Sequence, residues 1–207
     1  MHVAIEANVG AGKSTVMTKI RDHFLHVPMY QEPIEAWNDA LQLFYTNKAR
    51  WSFLLQMRIL YEYLDPRYSD PNDVITERSA YSSRYVFGQT LFSEGSLNEN
   101  EWRVYKEYYD AFTSSSRLEP DVIIYLKTDP MTCLERIQNR GRSMENGITL
   151  EYLQKLNFQY ETMMKYFKGT LHVIDGTKSE NEVYKDVVDV LTRLYGLSTN
   201  DKEGDEV

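Results

Sequence analysis

A chain of 207 residues with 23 basic and 31 acidic side chains, net charge -8, is long enough for one α/β domain with a substantial core, and its bulk charge excludes duplex nucleic acid or an anionic membrane as the expected partner. A single cysteine, Cys133, excludes an intrachain disulfide and fits a reducing compartment, so an intracellular, cytoplasmic protein is expected, with Cys133 as a small core residue. His2, His23, His26 and His172 lack zinc-ligand spacing, no apolar run approaches the roughly 18 residues of a membrane span, and with the first strand beginning at Val3 no presequence is expected unless one has been trimmed away.

The apolar run Val3-Ala4-Ile5 predicts a first strand. Directly after it, Ala7-Asn8-Val9-Gly10-Ala11-Gly12-Lys13-Ser14-Thr15 predicts a phosphate-binding loop entering a helix over 14–25. A triphosphate needs inward-turned backbone N–H groups, a lysine on its β and γ oxygens and a hydroxyl for magnesium. Gly10 and Gly12 permit the loop, Lys13 supplies the charge and Ser14 the hydroxyl. Ala7 stands where the full pattern has its first glycine. A turn with a chance Gly-Lys-Ser is the competing reading, and the strand, loop and helix context weighs against it.

A second strand is predicted over 27–30, followed by Gln31-Glu32-Pro33. Ligands of open α/β sheets bind beyond the carboxyl ends of the strands, which makes Glu32 a candidate base for an acceptor hydroxyl. Helices are expected over 37–46 and 48–64. The run from Trp51 to Tyr61 is apolar around most of its circumference and predicts a buried helix, so Gln56 within it needs a partner; its planar amide suits the edge of a base. Trp37, Tyr45, Tyr63 and Phe87 could wall such a base or simply pack the core. A third strand over 74–76 precedes Glu77-Arg78-Ser79, which offers a magnesium-side carboxylate and a cation for phosphate or acceptor oxygens, against the plainer reading of a surface ion pair. Helices come next over 79–92 and 99–116, with Ser79, Ser83 and Phe87 spaced four apart on one face of the first.

A fourth strand over 122–126 leads to a helix over 130–140, whose end carries Arg136, Arg140, Gly141 and Arg142. Gly141 favours a break, so this cluster reads as a basic lid over transferred phosphate, or else as cations complementing a helix dipole. Helices over 149–167 and 179–195 flank a fifth strand over 171–174, after which comes Asp175-Gly176. Short apolar strands alternating with helices predict a doubly wound α/β fold: a five-stranded parallel sheet flanked by helices. One domain is expected over 1–197, and the polar, acidic stretch 198–207 is expected to be a disordered tail.

From Val3 to about Tyr195 the chain resembles the deoxynucleoside kinase family, which includes deoxycytidine, deoxyguanosine and mitochondrial thymidine kinases. The likeness rests on Ile5-Glu6-Ala7-Asn8 into the loop, Glu32-Pro33-Ile34-Glu35-Ala36-Trp37, Arg50-Trp51-Ser52-Phe53-Leu54-Leu55-Gln56, Glu77-Arg78-Ser79-Ala80-Tyr81-Ser82-Ser83-Arg84-Tyr85, and Arg140-Gly141-Arg142 before Gly147-Ile148-Thr149-Leu150-Glu151-Tyr152-Leu153. It implies a P-loop kinase with an arginine lid that uses ATP and Mg2+ to phosphorylate the 5'-hydroxyl of a deoxynucleoside in nucleotide salvage, as a homodimer built through helices. By the same resemblance Glu32 is the base, Arg78 the partner of the 5'-oxygen, and Lys13 the third catalytic group. Asn8, Gly10, Ala11, Gly12, Lys13, Ser14 and Thr15 form the donor loop, with Ser14 and Glu77 on the magnesium side. Tyr45 and Glu145 match positions that hold the sugar 3'-hydroxyl, Gln56 the base-reading amide, and Trp37, Leu55 and Phe87 pocket walls. Arg136 matches an arginine over the donor adenine, and Arg140 and Arg142 the lid cations.

Ser83 stands where purine- and cytosine-preferring members tend to carry aspartate, and Tyr63 where they carry arginine. Thymidine and deoxycytidine are therefore the expected substrates, thymidine at least as good and purine deoxynucleosides poorer. Two rivals remain. A thymidylate kinase would need added cations near the second strand, where this chain has Glu32 and Glu35; a non-catalytic nucleotide-binding subunit would need no aligned base.

Overall fold

The computed structural model describes residues 1–69, 72–115, 118–142, 145 and 147–196; the expected tail over 198–207 and the domain limit at 197 lie outside the described residues. Strands β1 (His2–Glu6), β2 (Met29–Tyr30), β3 (Val74–Glu77), β4 (Val122–Lys127) and β5 (Thr170–Asp175) form one parallel sheet in the order β2-β3-β1-β4-β5. Every residue of β1 and β3 is buried, which is why these strands read as apolar runs and not as alternations. The chain visits β2 and β3 on one side of β1, then crosses to β4 and β5 on the other. The reversal puts the loop after β1 at the centre of the crevice where open sheets bind ligands. The doubly wound α/β expectation is met.

Around the sheet run α1 (Lys13–Arg21), α2 (Asn38–Thr46), α3 (Lys48–Glu62), α4 (Ala80–Ser82), α5 (Gln89–Ser93), α6 (Glu99–Ser115), α7 (Pro130–Arg140), α8 (Leu150–Tyr166) and α9 (Glu180–Tyr195). Their ends follow local chemistry. Asp129 caps α7 by accepting from Met131 N and Thr132 N, Pro130 opens it, and Gly141 closes it at φ 64°. Ser179 and Glu182 form a reciprocal capping box on α9. One apolar cluster joins the sheet to α1, α7, α8 and α9; a second joins α2, α3 and α6. Tyr45 packs against both. Cys133 is a buried core residue with a free thiol, and among the described residues no helix is long and apolar enough to cross a membrane.

Three expectations are corrected. The helix over 79–92 is broken: α4 passes into a π-helical stretch (Ser83–Gly88) before α5. The stretch ends at Gly88, where a Cβ would sit 2.9 Å from Trp102 Cζ3 and 3.2 Å from Tyr105 Cε1, so α6 approaches closely enough to favour a residue without a side chain there. Ser79, extended at φ -153°, caps α4 and does not share the face of Ser83 and Phe87. Finally, α3 is buried on one face only, through Ser52, Leu55, Gln56 and Leu60, while Leu54 is 43% and Tyr61 68% exposed, because α2 and α6 cover only part of its circumference.

Candidate active site

A cleft enclosing about 1050 Å³, open solvent at its mouth included, lies where the two apolar clusters meet. The loop after β1 forms its floor. Gly10 (φ 84°) and Gly12 (φ 100°) are the left-handed residues of the loop, and a Cβ at Gly10 would lie 2.5 Å from the Cys133 carbonyl oxygen. Ala7 needs no positive φ, so the missing first glycine costs the loop nothing in backbone geometry. Its carbonyl accepts from Lys13 Nζ at 3.3 Å, and that of Asn8 accepts from the same amine at 3.2 Å. Burial, and then the charge of Arg78, push the Lys13 pKa down to about 8.

The ends of β2 and β3 supply the charged groups facing this lysine. Glu32, just after β2, accepts a short hydrogen bond from Arg78 Nη1, and both side chains are 10% exposed. Burial raises the Glu32 pKa above the usual carboxylate range, against the pull of Arg78. Arg78 is the one non-glycine residue with positive φ among the described residues, at 61°. Its backbone is clamped at both ends, the N–H donating to Ile5 O at 3.0 Å and the carbonyl accepting from Thr76 Oγ1 at 2.7 Å. Phe87 lies under its guanidinium, 4.8 Å from ring centroid to Cζ. Beside it, Ser14 Oγ donates to Glu77 Oε1 at 2.7 Å.

Away from these charges the cleft turns apolar. Trp37, Tyr45, Leu55, Tyr63 and Phe87 all line it, together with Ile34, Leu41, Phe44, Ile59, Leu91 and Tyr152, which the sequence alone did not single out. The buried Gln56 has a partner within the protein: Ser83 Oγ donates to Gln56 Oε1 at 3.4 Å, and Ser83 Oγ lies 3.0 Å from the Tyr105 hydroxyl. At the rim, Arg140, Arg142 and Glu145 come together. Arg140 Nη2 donates to both Glu145 oxygens at 2.6 Å, and Arg142 Nη1 stands 3.8 Å away from Glu145 Oε1.

Not every expected site residue faces the cleft. Asn8, Ala11, Gly12, Thr15 and Arg136 do not line it. Asn8 is a staple, donating to Leu153 O at 2.9 Å and accepting from Val9 N at 2.8 Å; Thr15 is exposed. Arg136 Nη1 donates to Ala11 O at 3.3 Å and Gly176 O at 2.9 Å, tying the loop to the segment after β5. Glu35 is exposed, so Glu32 alone brings a carboxylate from the second strand into the cleft. Asp175, also at a strand end, turns back to accept from Thr177. Sequence reasoning missed the layer beneath Arg78: Glu6, Ser79 and Tyr160, all buried. Glu6, a carboxylate ending a buried strand, was the available signal; Tyr160 gave none.

The profile of the family described as deoxynucleoside kinase matches residues 3–195. A probable deoxycytidine kinase of fowlpox virus (strain NVSL) is 31% identical over 211 residues, covering 93% of this chain and 89% of the viral protein. Deoxycytidine kinase 2 of Gallus gallus is 33% identical across 83% of this chain and 76% of its own length. Deoxycytidine kinase of Homo sapiens is likewise 33% identical, across 78% and 74%.

Proposed function

Because the chain belongs to the deoxynucleoside kinase family, and is thereby a phosphotransferase, we propose that it moves the γ-phosphoryl group of ATP to the 5'-hydroxyl of pyrimidine deoxynucleosides, thymidine and deoxycytidine, in the salvage of DNA precursors. The observation that carries this reading is the Glu32–Arg78 pair, held at the mouth of the phosphate loop and opening onto an aromatic cleft with one buried amide. Glu32 takes the proton of the 5'-hydroxyl as that oxygen bonds to the γ-phosphorus, and the bond to the bridging oxygen breaks with its electron pair leaving on ADP. Arg78 and Lys13 offset the charge on the reacting oxygens. Arg140 and Arg142 close over the phosphate, and Tyr45 and Glu145 hold the sugar 3'-hydroxyl.

Ser14 and Glu77 present oxygen donors side by side, a set suited to Mg2+, which takes one or two protein oxygens and completes its shell with phosphate and water. Bound there, the ion would neutralise charge on the β and γ phosphates. Gln56 reads the base between Trp37 and Phe87. The absence of a cation beside Glu32 other than the paired Arg78 and Lys13 of the loop, among the described residues lining that end of the cleft, favours an uncharged acceptor over a monophosphate. A homodimer is supported by exposed apolar side chains on two helices that pack together: Leu54 and Tyr61 on α3 and Tyr108, 48% exposed, on α6. Product formation from ATP with each of the four deoxynucleosides and with thymidylate, at equal concentration, tests the reading. Turnover of thymidine and deoxycytidine is expected; turnover of thymidylate without thymidine would overturn it.

A further inference from the structure

Glu6 ends β1, is fully buried, and does not line the cleft. A carboxylate taken out of water needs donors, and two are present: Ser79 Oγ donates to it at 2.6 Å and the Tyr160 hydroxyl at 3.4 Å. The Tyr160 oxygen in turn accepts from Arg78 Nε at 3.1 Å. Arg78 thus stands between two carboxylates, Glu32 directly on Nη1 and Glu6 through one hydroxyl on Nε. Only Glu32 can meet an acceptor.

Resting on the kinase reading above, we propose that Glu6 is a positioning residue for the transfer: acting through Tyr160, it keeps the Arg78 guanidinium in place once Glu32 has taken the acceptor's proton. While Glu32 is ionised, its charge holds Nη1. After proton transfer it is neutral, and an ion pair becomes a hydrogen bond from the guanidinium to an uncharged carboxyl group, without the charge–charge attraction. The remaining side-chain hydrogen bonds of Arg78 are then to the Ala7 carbonyl, long at 3.4 Å, and to Tyr160. A carboxylate behind the hydroxyl orients it, because Tyr160 has one hydrogen to give, and giving it to Glu6 leaves its lone pairs for Arg78. Glu6 also fixes Ser79, whose oxygen accepts from Ser82 N at 3.4 Å, directly after the left-handed residue. Both the head group and the backbone of Arg78 are therefore referred to a group that the reaction does not consume. Burial pushes the Glu6 pKa up to about 7, with the Ser79 hydrogen bond and the charge of Arg78 opposing it, so its ionised form depends on the groups it holds.

Glu6→Gln keeps the volume and removes the charge. Tyr160→Phe keeps the ring that stacks on Tyr125 at 5.8 Å and removes the bridge. Assayed at pH 8, where Glu6 is ionised, each is expected to lower kcat roughly 10- to 100-fold with the nucleoside KM within about twofold, and the double variant to be no slower than the slower single variant, since both cut one chain. A folded single variant with wild-type kcat, an effect confined to KM, or losses that multiply in the double variant would each overturn the proposal. Should Glu6→Gln fail to fold, Tyr160→Phe decides alone. Wild-type protein inert on thymidine and deoxycytidine fails the kinase reading instead, which the same assay shows before any variant is compared.

Discussion

Replacing Tyr105 by phenylalanine deletes one buried hydroxyl and leaves the ring on Trp102, with which it stacks at 5.7 Å and 9°. Ser83 donates to Gln56 Oε1 and lies 3.0 Å from the Tyr105 hydroxyl, which can donate its own hydrogen into that contact. Burial pushes the Tyr105 pKa up to about 12, which keeps that proton in place across the working pH range. The relay holds the Gln56 amide in one of its two orientations. Those orientations are not equivalent to pyrimidines: cytosine offers an acceptor at N3 and a donor at its amino group, thymine the reverse. A neutral hydrogen bond contributes about 0.5 to 1.5 kcal/mol net, so release of the amide should move the ratio of kcat/KM for thymidine and deoxycytidine toward unity by roughly 2- to 12-fold. Steady-state kinetics with both nucleosides on wild type and Tyr105→Phe measures this. A ratio unchanged by the substitution, or a wild type that does not discriminate at all, refutes the relay.

Glu32→Gln should lower kcat by roughly 10²- to 10⁴-fold, the range of a positioned base. Because burial raises the Glu32 pKa and the base must be ionised, kcat/KM should fall with decreasing pH at values above the ordinary carboxylate range, a limb absent from the variant. Gly10→Ala should cost about 1 to 3 kcal/mol from overpacking against Cys133 and Ile137 and a further 1 to 2 for its left-handed backbone, whereas Gly12→Ala, with nothing within 4 Å, should show only the second cost in a denaturant titration. Glu6 holds its proton up to about pH 7 when folded, against 4.5 as the reference for the open chain, so stability should drop by up to ~3 kcal/mol as pH rises between those values. Melting curves of Glu6→Gln that track the wild type from pH 5 to 8 would contradict this.

Residues whose placement depends on local chemistry are readable from the sequence. Gly10, Gly12 and Lys13 act through their own loop, and Glu32 and Arg78 were flagged because they follow strands, where an open sheet places its ligands. What escaped depends on distant approach. The π-helical stretch ends at Gly88 against α6, a contact no helical periodicity encodes. Glu6 meets Tyr160 across 154 positions of chain. Likewise, the one-sided burial of α3 is set by what covers it, so its composition overstated how deeply it lies.

At position 78 the demands of folding and of chemistry point to different amino acids. A φ of 61° is one that glycine adopts without steric conflict, while a side chain there costs roughly 1 to 2 kcal/mol. Arginine is retained against that gradient by Glu32, Tyr160 and the clamps on its backbone. Arg78→Gly therefore sits on a downhill path for the backbone and a dead end for catalysis. Losing Arg78 would also leave Glu32 buried without its partner, at a cost of about 3 to 5 kcal/mol against the roughly 1 to 2 regained by the backbone, so selection for heat resistance alone keeps the arginine and the strain it carries.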